Sequence, residues 1–386
     1  MSANGKDYEI AVIGAGVFGA WTAWHLQRAG KRVLLVDKYG PGNARSSSGG
    51  ETRVIRMAYA ADEVYSRFAQ RSLAMWQQMF QAIGRPELFR ATGVLWLLAA
   101  DSSVGQQSVA TLTRLGIAHQ VINADLLATR YPQIRVPAGG WAIFEPDSGG
   151  LLARRAVQAV TEDAERAGVD LLIADVLPPS GSGLLAQLRT RSGETIDAQN
   201  YLFACGPWLG SVLPGALAGR IFPTRQEVFY FGTRPGNRDF SAEALPIWLD
   251  FDRDYYGFPD LDGRGFKVAH DSHGDAIDPD TVERAPTADR VADARAFIAR
   301  RFPALANAPL VGAEVCQYEN TSNGDFVIDR HPEFSNVWIV GGGSGHGFKH
   351  GPAVGEYTAQ RVLGGERLEP RFSLATKQTV QRREVH

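Results

Sequence analysis

One stretch near the start of the chain constrains the fold more than any other. The short apolar run Tyr8–Ile13 is predicted to be a buried strand, and Gly14-Ala15-Gly16-Val17-Phe18-Gly19 follows it directly. A helical pattern is then predicted over 20–29, and a second apolar strand, 32–37, ends in Asp37. Strand, glycine turn, helix, strand and acid in this order predict the βαβ unit of a Rossmann-type fold, which binds a dinucleotide pyrophosphate at the helix N-terminus.

Each glycine of this turn has a physical role in such a unit. Gly14 would make the tight turn, Gly16 would let the backbone approach the pyrophosphate, and Gly19 would let the helix pack on the strand. Asp37 suits a pair of ribose hydroxyls, and an acid there disfavours a 2′-phosphate. The alternative is a plain glycine-rich turn beside a surface Asp. The unit alone leaves open whether the nucleotide is FAD or NAD.

Composition excludes several classes of protein. With 386 residues, two or three domains are expected. Lys+Arg 40 against Asp+Glu 42 gives a net charge of −2, so we expect no nucleic-acid partner. Two cysteines exclude a disulfide scaffold and a cysteine-based zinc cage. The polar start, residues 1–6, lacks a signal-peptide core, and no apolar stretch near it is long enough to span a bilayer, so a soluble cytoplasmic protein without a membrane partner is expected.

The rest of the chain alternates between helical and strand-like patterns. Helical patterns are predicted over 64–83, 111–115, 125–131, 152–167, 290–302 and 353–364. The region 223–269 is rich in strand-like stretches, and a glycine-rich turn, 341–345, precedes the last helix. The polar residues 377–386 are predicted to form a loose tail.

Beyond the first unit, several separate motifs occur in one order along residues 8 to 365. They are Val12-Ile13-Gly14-Ala15-Gly16, Gly50-Glu51-Thr52-Arg53-Val54-Ile55-Arg56, Ile143-Phe144-Glu145-Pro146, Tyr255-Tyr256-Gly257-Phe258-Pro259, Ile277-Asp278-Pro279-Asp280, Val315-Cys316-Gln317-Tyr318 and Ser344-Gly345-His346-Gly347-Phe348-Lys349. In these motifs the chain resembles the monomeric sarcosine oxidase family, with its relatives N-methyltryptophan oxidase and pipecolate oxidase, in the D-amino acid oxidase superfamily of flavoproteins.

The resemblance implies an α/β fold in which a Rossmann-type FAD-binding domain is interleaved with a substrate domain on a mixed, largely antiparallel sheet. The FAD-binding domain would comprise residues 1–85, 146–220 and 310–386, and the substrate domain residues 86–145 and 221–309. The implied reaction is oxidation of a secondary amine, in an N-methyl or cyclic amino acid, to an imine, with O2 reduced to H2O2. The family also implies a monomer.

The resemblance assigns a set of residues to the flavin. They are Gly14, Gly16, Val17, Phe18, Gly19, Asp37, Lys38, Ser47, Thr52, Arg53, Gly206, Trp208, Cys316, Gly345, Gly347, Phe348 and Lys349. Cys316 stands where the family joins its flavin through a thioether to the 8α-methyl; the alternative is a small buried apolar side chain. Cys205 is interpreted in that second way.

Four cations match positions of the family's reaction site. Arg56 and Lys349 match the clamp on the substrate carboxylate, Arg53 matches a position beside the flavin ring, and Lys267 matches the lysine that helps oxygen accept an electron. If residues 53–56 form a helical turn, both arginines lie on one side of it. For the two arginines the alternative is a surface position with ion pairs to Glu51 and Asp62. For Lys267 it is a strand lysine that reaches solvent, and for Lys349 a solvated lysine at the start of a helix.

Other positions concern specificity. Tyr256 and Tyr318 match walls of the family's substrate cavity, and Ile247 lies at a wall where the family varies; ordinary core packing is the alternative. Asp271 stands where the sarcosine oxidases have a histidine, which puts sarcosine itself in doubt as the substrate. No metal site is expected at His270 and His273, because no carboxylate cluster surrounds them.

His346 is interpreted as a positioning or packing residue. Two other functions remain open: a flavin dehydrogenase that passes electrons to a quinone or a carrier protein, against which Lys267 argues, and a non-catalytic flavin-binding protein.

Overall fold

The computed structural model describes residues 8–365 and 368–382, and two large sheets organise them. The helices are α1 (Val17–Arg28), α2 (Glu63–Ala82), α3 (Ser103–Arg114), α4 (Ala124–Arg130), α5 (Ala153–Arg166), α6 (Leu209–Val212), α7 (Pro214–Leu217), α8 (Ala288–Arg301) and α9 (Gly351–Val362). The strands are β1 (Tyr8–Ile13), β2 (Val33–Asp37), β3 (Arg53–Ile55), β4 (Phe89–Arg90), β5 (Val94–Leu98), β6 (Gln120–Ile122), β7 (Trp141–Glu145), β8 (Gly149–Leu151), β9 (Asp170–Ile173), β10 (Leu188–Arg189), β11 (Thr195–Ile196), β12 (Ala198–Phe203), β13 (Phe222–Phe231), β14 (Ile247–Asp250), β15 (Tyr255–Phe258), β16 (Phe266–His270), β17 (Leu310–Asn320), β18 (Val327–Arg330) and β19 (Val337–Gly341).

The first sheet contains the predicted dinucleotide unit. Its six strands lie in the order β18-β19-β12-β1-β2-β9, and every neighbouring pair except β18 with β19 is parallel. Helix α1 packs against α5 and α9 on this sheet. A Cβ added at Gly355 would lie 2.7 Å from the Cβ of Trp21, so the missing side chain lets α9 cross α1 closely.

The glycine turn has the geometry that its sequence predicts. Gly14 has φ +107°, a region that favours glycine, and a Cβ there would collide with the carbonyl of Ala204. A Cβ at Gly19 would collide with the carbonyl of Gly14, so only glycine lets α1 start this close to β1. The roles of Gly14 in the turn and of Gly19 in packing are therefore confirmed.

The second sheet has eight strands in the order β17-β13-β16-β15-β14-β5-β7-β6. Only β14 with β5 is a parallel pair, so the expectation of a mixed, largely antiparallel sheet is confirmed. Strand β17 pairs with β13 along its length and so belongs to this sheet, whereas the predicted boundary puts 310–320 with the FAD-binding segments. The domain boundaries stay a prediction.

Two local expectations are wrong. Residues 53–55 form strand β3 and not a helical turn, because their backbone pairs antiparallel with residues 149–151 of β8. The tail predicted to be loose is anchored although most of its described side chains are exposed: the Lys377 side chain is 1% exposed and its ammonium donates to the carbonyl of Arg371 at 2.7 Å. Residues 383–386 of that tail, and the polar start at 1–6, lie outside the described residues.

Within the described ranges, no helix combines the length and apolarity needed to cross a membrane. The same ranges hold no cluster of three or more His, Cys, Asp or Glu side chains arranged for a metal ion. Both cysteines are free of disulfide bonds.

Candidate active site

One cavity of about 360 Å³ joins the glycine turn of the first sheet to β13, β15, β16 and β17 of the second. Its size is in the range of ligand-binding cavities. Most of the predicted cofactor residues line it: Gly14, Gly16, Val17, Phe18, Asp37, Lys38, Ser47, Arg53, Gly206, Trp208, Cys316, Gly345, Gly347, Phe348 and Lys349. The predicted substrate residues Arg56, Lys349, Tyr256 and Tyr318 line the same cavity.

At the nucleotide end, Asp37 fixes the glycine turn. Its Oδ2 accepts a hydrogen bond from the Ala15 N–H at 2.8 Å, and its Oδ1 accepts from the N–H groups of Tyr39 and Gly40 at 2.8 Å each. Burial raises the pKa of Asp37 although these three donors oppose the shift. The carboxylate thus ties the end of β2 to the start of the turn, at the edge where the strands meet the cavity.

Polar pairs continue along the nucleotide end. Lys38 forms ion pairs with Asp175 at 3.2 Å and Asp280 at 3.5 Å, and the indole of Trp208 donates to Asp280 at 3.0 Å. The N–H of Val17, at the start of α1, donates to the hydroxyl of Ser48 at 3.1 Å. These groups give the cavity a polar, hydrogen-bonding wall beside the helix N-terminus, which is what a dinucleotide requires.

Cys316 lies against Arg53 in the middle of the cavity. The Arg53 guanidinium donates to the sulfur at 3.0 Å, and also to the carbonyls of Ser47 at 2.8 Å and Thr52 at 2.9 Å. Burial disfavours the charge of Arg53, but the neighbouring sulfur and tyrosine hydroxyls outweigh it and raise the pKa of Arg53. The side-chain carbonyl oxygen of the next residue, Gln317, is buried beside the cavity without a hydrogen-bond partner among the described residues.

Cys205 differs from Cys316 in its surroundings. Its sulfur contacts the carbonyl of Ile13 at 3.5 Å, and burial raises the pKa of this thiol far above its ordinary value. The thiol is therefore held neutral, as expected for a packing residue.

Two buried cations stand at the other end of the cavity. The Arg56 guanidinium, on a side chain 4% exposed, donates to the carbonyl of Ala58 at 2.7 Å and stacks over the rings of Tyr59 at 4.5 Å and Trp96 at 4.6 Å. The Lys349 ammonium donates to the Tyr59 hydroxyl at 2.8 Å. Arg56 is thus buried and stacked rather than a surface residue, and the ion pairs of Glu51 and Asp62 go to Arg264 and Arg371.

Tyr59 connects Lys349 to two histidines. Its hydroxyl is 2.8 Å from Nε2 of His350 and 3.2 Å from Nδ1 of His346, and the other ring nitrogen of His346 is 3.1 Å from the carbonyl of Gly324. Burial, followed by the charges of Lys349 and Arg56, lowers the pKa of His350 well below its usual value. A neutral His350 accordingly packs beside the two cations without adding a third positive charge.

Glu145 anchors the chain that carries Arg56. This carboxylate is fully buried and accepts four hydrogen bonds, from the N–H groups of Met57 at 2.8 Å and Ala58 at 3.1 Å, the indole of Trp96 at 2.8 Å and the hydroxyl of Ser148 at 2.6 Å. It therefore fixes both the backbone that follows Arg56 and the ring on which its guanidinium stacks. Four donors are enough to satisfy a buried carboxylate.

An aromatic wall faces the cavity from the second sheet. The Tyr318 hydroxyl donates to Oδ1 of Asp271 at 2.6 Å, and Tyr256 lies beside Tyr318. Burial raises the pKa of Tyr256 to about 12; Arg53 opposes the shift and Asp271 adds to it. Burial and the charge of Asp271 also raise the pKa of Tyr318 well above its usual value. Both phenols are therefore neutral.

Lys267 lies behind this wall and is not among the residues that line the cavity. Its side chain is 2% exposed, and its ammonium donates to the carbonyl and the hydroxyl of Thr52 at 3.0 Å each. Burial and the charge of Arg53 lower the pKa of Lys267 to about 7. Thr52 therefore links Lys267 to the strand of Arg53. Gly19 and Ile247 also lie outside the cavity lining, in the packed interior.

Glu319 is a further carboxyl group at the cavity that the motifs do not assign. It accepts from the N–H of Gly342 at 2.8 Å, and burial raises its pKa to about 7 despite that bond and one from Gly343. The sequence offered a signal for Glu145, which stands in one of the matching motifs. Tyr59, Trp96 and Glu319 carry no such signal, because their roles depend on contacts between distant segments.

Similarity to known proteins identifies the family of this chain. The family model described as FAD dependent oxidoreductase matches residues 9–361. The chain belongs to this family of FAD-dependent oxidoreductases. It is 32% identical to monomeric sarcosine oxidase from Bacillus sp. (strain NS-129) over 365 residues, which cover 93% of this chain and 94% of the relative. Peroxisomal sarcosine oxidase from Homo sapiens is 30% identical over 383 residues, with 97% and 96% covered.

The fold also matches that of a solved structure. The crystal structure of L-proline dehydrogenase from P. horikoshii superposes with a TM-score of 0.83 at 22% identity, covering 96% of this chain and 98% of that chain. At this identity the likeness concerns the fold alone. The predicted fold class and family are confirmed by these findings.

Proposed function

We propose that this FAD-dependent oxidoreductase oxidises the C–N bond of an N-substituted amino acid, N-methyl or cyclic, to an imine. The relatives named sarcosine oxidase support this class of substrate. In the reaction the carbon beside nitrogen gives up a hydride, and the nitrogen lone pair forms the C=N bond. Bound FAD would supply the two-electron acceptor, with O2 as the terminal oxidant that takes two electrons and two protons to become H2O2.

One observation carries the proposal. A single cavity joins the dinucleotide turn at Gly14 to the two buried cations Arg56 and Lys349. A carboxylate suits these cations, because guanidinium and ammonium groups donate charge-assisted hydrogen bonds to it. Stacking on Tyr59 and Trp96 holds the Arg56 guanidinium in place before the substrate arrives. The substrate would therefore bind by its carboxylate, beside the cofactor.

The neutral phenols of Tyr256 and Tyr318 would form the wall against the amine. An amine must lose its proton before its lone pair can form a double bond, and buried aromatic surroundings disfavour the charged ammonium. The positive charges of Arg56 and Lys349 act in the same direction. The aromatic wall and the two cations thus favour the reactive, neutral form of the amine, whereas the Asp271 carboxylate in the same lining acts in the opposite direction.

The residues at the middle of the cavity suit a flavin. Cys316 would form the thioether to the flavin 8α-methyl, and its contact with Arg53 at 3.0 Å places a fixed positive charge beside the sulfur. Lys267, one residue layer behind, would favour electron transfer to oxygen through its charge. We also propose that the protein is a cytoplasmic monomer, because the sequence and the family resemblance favour this state.

The test is peroxide release from a panel of N-methyl and cyclic amino acids, with oxygen consumption followed in parallel. We expect oxygen uptake with at least one N-substituted amino acid and little with the decarboxylated amine of the same structure. If such a substrate reduces the flavin and only a quinone or a carrier protein reoxidises it, the protein is a dehydrogenase and not an oxidase. A flavin that no N-substituted amino acid reduces would refute the proposal.

A further inference from the structure

Charged side chains of both signs line the cavity, and three of those that the structure describes lie at its substrate end. Arg56 and Lys349 bring two positive charges to this end. Arg56 directly follows β3, and Lys349 lies in the segment before α9. Asp271, which directly follows β16, brings a carboxylate to the lining from the second sheet. A histidine at this position, as the family resemblance implies for sarcosine oxidases, would bring no negative charge.

Within the described part of the chain, five other acidic side chains line the cavity and are bound to neighbouring protein groups, and two of them, Asp175 and Asp280, pair with Lys38. Asp37 accepts from three backbone N–H groups, one in the glycine turn after β1 and two directly after β2, and Glu319 accepts from the glycine turn before α9. Glu227 pairs with Arg225 at 2.9 Å and accepts from the N–H of Thr287. Asp271 differs because a side chain of the aromatic wall, the hydroxyl of Tyr318, donates to it at 2.6 Å.

This hydrogen bond fixes where the carboxylate stands. Tyr318 cannot move easily, since its ring packs on the turn at Gly345, where an added Cβ would lie 2.8 Å from the ring. Tyr256 lies beside Tyr318, and the charge of Asp271 acts on both phenols. The negative charge is thus held at the aromatic wall, in the same cavity as the two cations.

We propose that Asp271, positioned by Tyr318, binds a cationic nitrogen of the substrate, so that this cavity selects a zwitterion. The substrate carboxylate would bind Arg56 and Lys349, and the cationic nitrogen would bind the Asp271 carboxylate. The inference rests on the proposed function for the orientation of the substrate. Two nitrogens have this chemistry: the α-nitrogen in its protonated form before reaction, and a basic nitrogen in the side chain.

Pairs of ligands that differ only in one charge test the proposal. Trimethylglycine and 3,3-dimethylbutanoate share a shape and a carboxylate, but only the first carries a cation at the α-position. In the same way, 6-aminohexanoate and heptanoate have the same length and carboxylate, but the first ends in an ammonium and the second in a methyl group. Binding is measured as the change of the flavin absorption spectrum of the holoenzyme on titration, so turnover is not needed.

We expect the parent protein to bind the cationic member of at least one pair about tenfold or more tightly, because opposite charges in a partly desolvated site attract by roughly that factor or more. The ammonium of 6-aminohexanoate can also donate a hydrogen bond to the carboxylate, whereas the trimethylammonium group acts through its charge alone. A preference in the first pair places the α-nitrogen at Asp271, and one in the second pair places a side-chain nitrogen there. Asp271→Asn should reduce the preference to about threefold or less. Asp271→Glu, which keeps the charge, should retain a preference.

Asp275→Asn is the matched control, because Asp275 is an exposed carboxylate of the same segment outside the cavity lining. It should keep the full preference of the parent. The inference is overturned if the parent binds both members of each pair equally, or if Asp271→Asn keeps the preference. Failure of the proposed function is distinguishable, because it would appear as absent flavin reduction by N-substituted amino acids while the charge preference could still be measured.

Discussion

Replacing Glu145 by glutamine should weaken both the fold and the carboxylate site. The buried carboxylate presents two acceptor oxygens to four donors: Oε1 to Ala58 N–H and the Trp96 indole, and Oε2 to Met57 N–H and the Ser148 hydroxyl. Glutamine keeps one oxygen and replaces the other by NH2. The Ser148 hydroxyl can turn round to accept from this NH2, so the amide nitrogen would take the Oε2 position and leave the Met57 N–H without an acceptor.

The magnitude follows from these bonds. An unpaired buried N–H costs about 1–3 kcal/mol, and exchanging charge-assisted for neutral hydrogen bonds loses roughly 1 kcal/mol each. The desolvation penalty of the charge disappears and offsets part of this loss. We therefore expect Glu145→Gln to lower the free energy of unfolding by about 2–4 kcal/mol. With an unfolding entropy of about 2.1 cal/mol/K per residue, Tm should fall by about 3–5 °C.

The assay combines thermal unfolding of the holoenzyme with titration of a carboxylate ligand such as 3,3-dimethylbutanoate. Ligand affinity should fall by about tenfold, since the segment after Arg56 and the Trp96 ring lose their common anchor. Glu165→Gln, on the exposed side of α5, is the control and should change neither quantity. A variant at Glu145 with the Tm and ligand affinity of the parent would show that the four hydrogen bonds do not position Arg56.

Three further predictions concern the cavity itself. Arg56→Met should weaken binding of amino-acid carboxylates by about tenfold to a hundredfold, measured by spectral titration, with no further loss for the decarboxylated amine. Reoxidation of the reduced flavin by O2, measured by stopped flow, should slow as pH rises through about 7, because Lys267 loses its positive charge above its lowered pKa. The Lys267→Met variant should be reoxidised slowly at every pH. Equal rates in parent and variant would show that Lys267 has only a structural role. Denaturation of the parent in acid should leave the flavin on the polypeptide, whereas Cys316→Ala should release it; free FAD from the parent would disprove the thioether.

The nucleotide unit could be predicted from the sequence because its determinants are local. Gly14, Gly19 and Asp37 act within one short stretch, and the predicted strand at 8–13 matches β1. Helix α1 begins at Val17, three residues before the predicted start. Its N-cap residue is Gly16, which has no capping side chain to indicate the helix start in the sequence.

The substrate end could be predicted only in part. The motifs placed Arg56, Lys349, Tyr256 and Tyr318 at one cavity, as the structure does. The burial of Lys267 behind Thr52 could not be predicted, because it depends on how β16 packs against β3.

The other contacts that sequence reasoning missed join residues far apart in the chain. The bond from Lys349 to Tyr59 spans 290 residues, and that from Trp96 to Glu145 spans 49. Residues 53–55 are extended and not helical because they pair with β8. The spacing of two arginines three positions apart does not indicate that strand partner in the sequence.

The anchored C-terminal segment bears on how the protein should be handled in the laboratory. The N–H of Arg382 donates to the carbonyl of Ser322 at 2.8 Å, and the amide of Gln381 lies 3.1 Å from His273, two residues from Asp271. An affinity tag or a fluorescent fusion joined after His386 would be separated from Arg382 by only four residues, close to a contact with the segment that carries the cavity carboxylate. For ligand titrations the handle therefore belongs at the other terminus, or must be cleaved off before measurement.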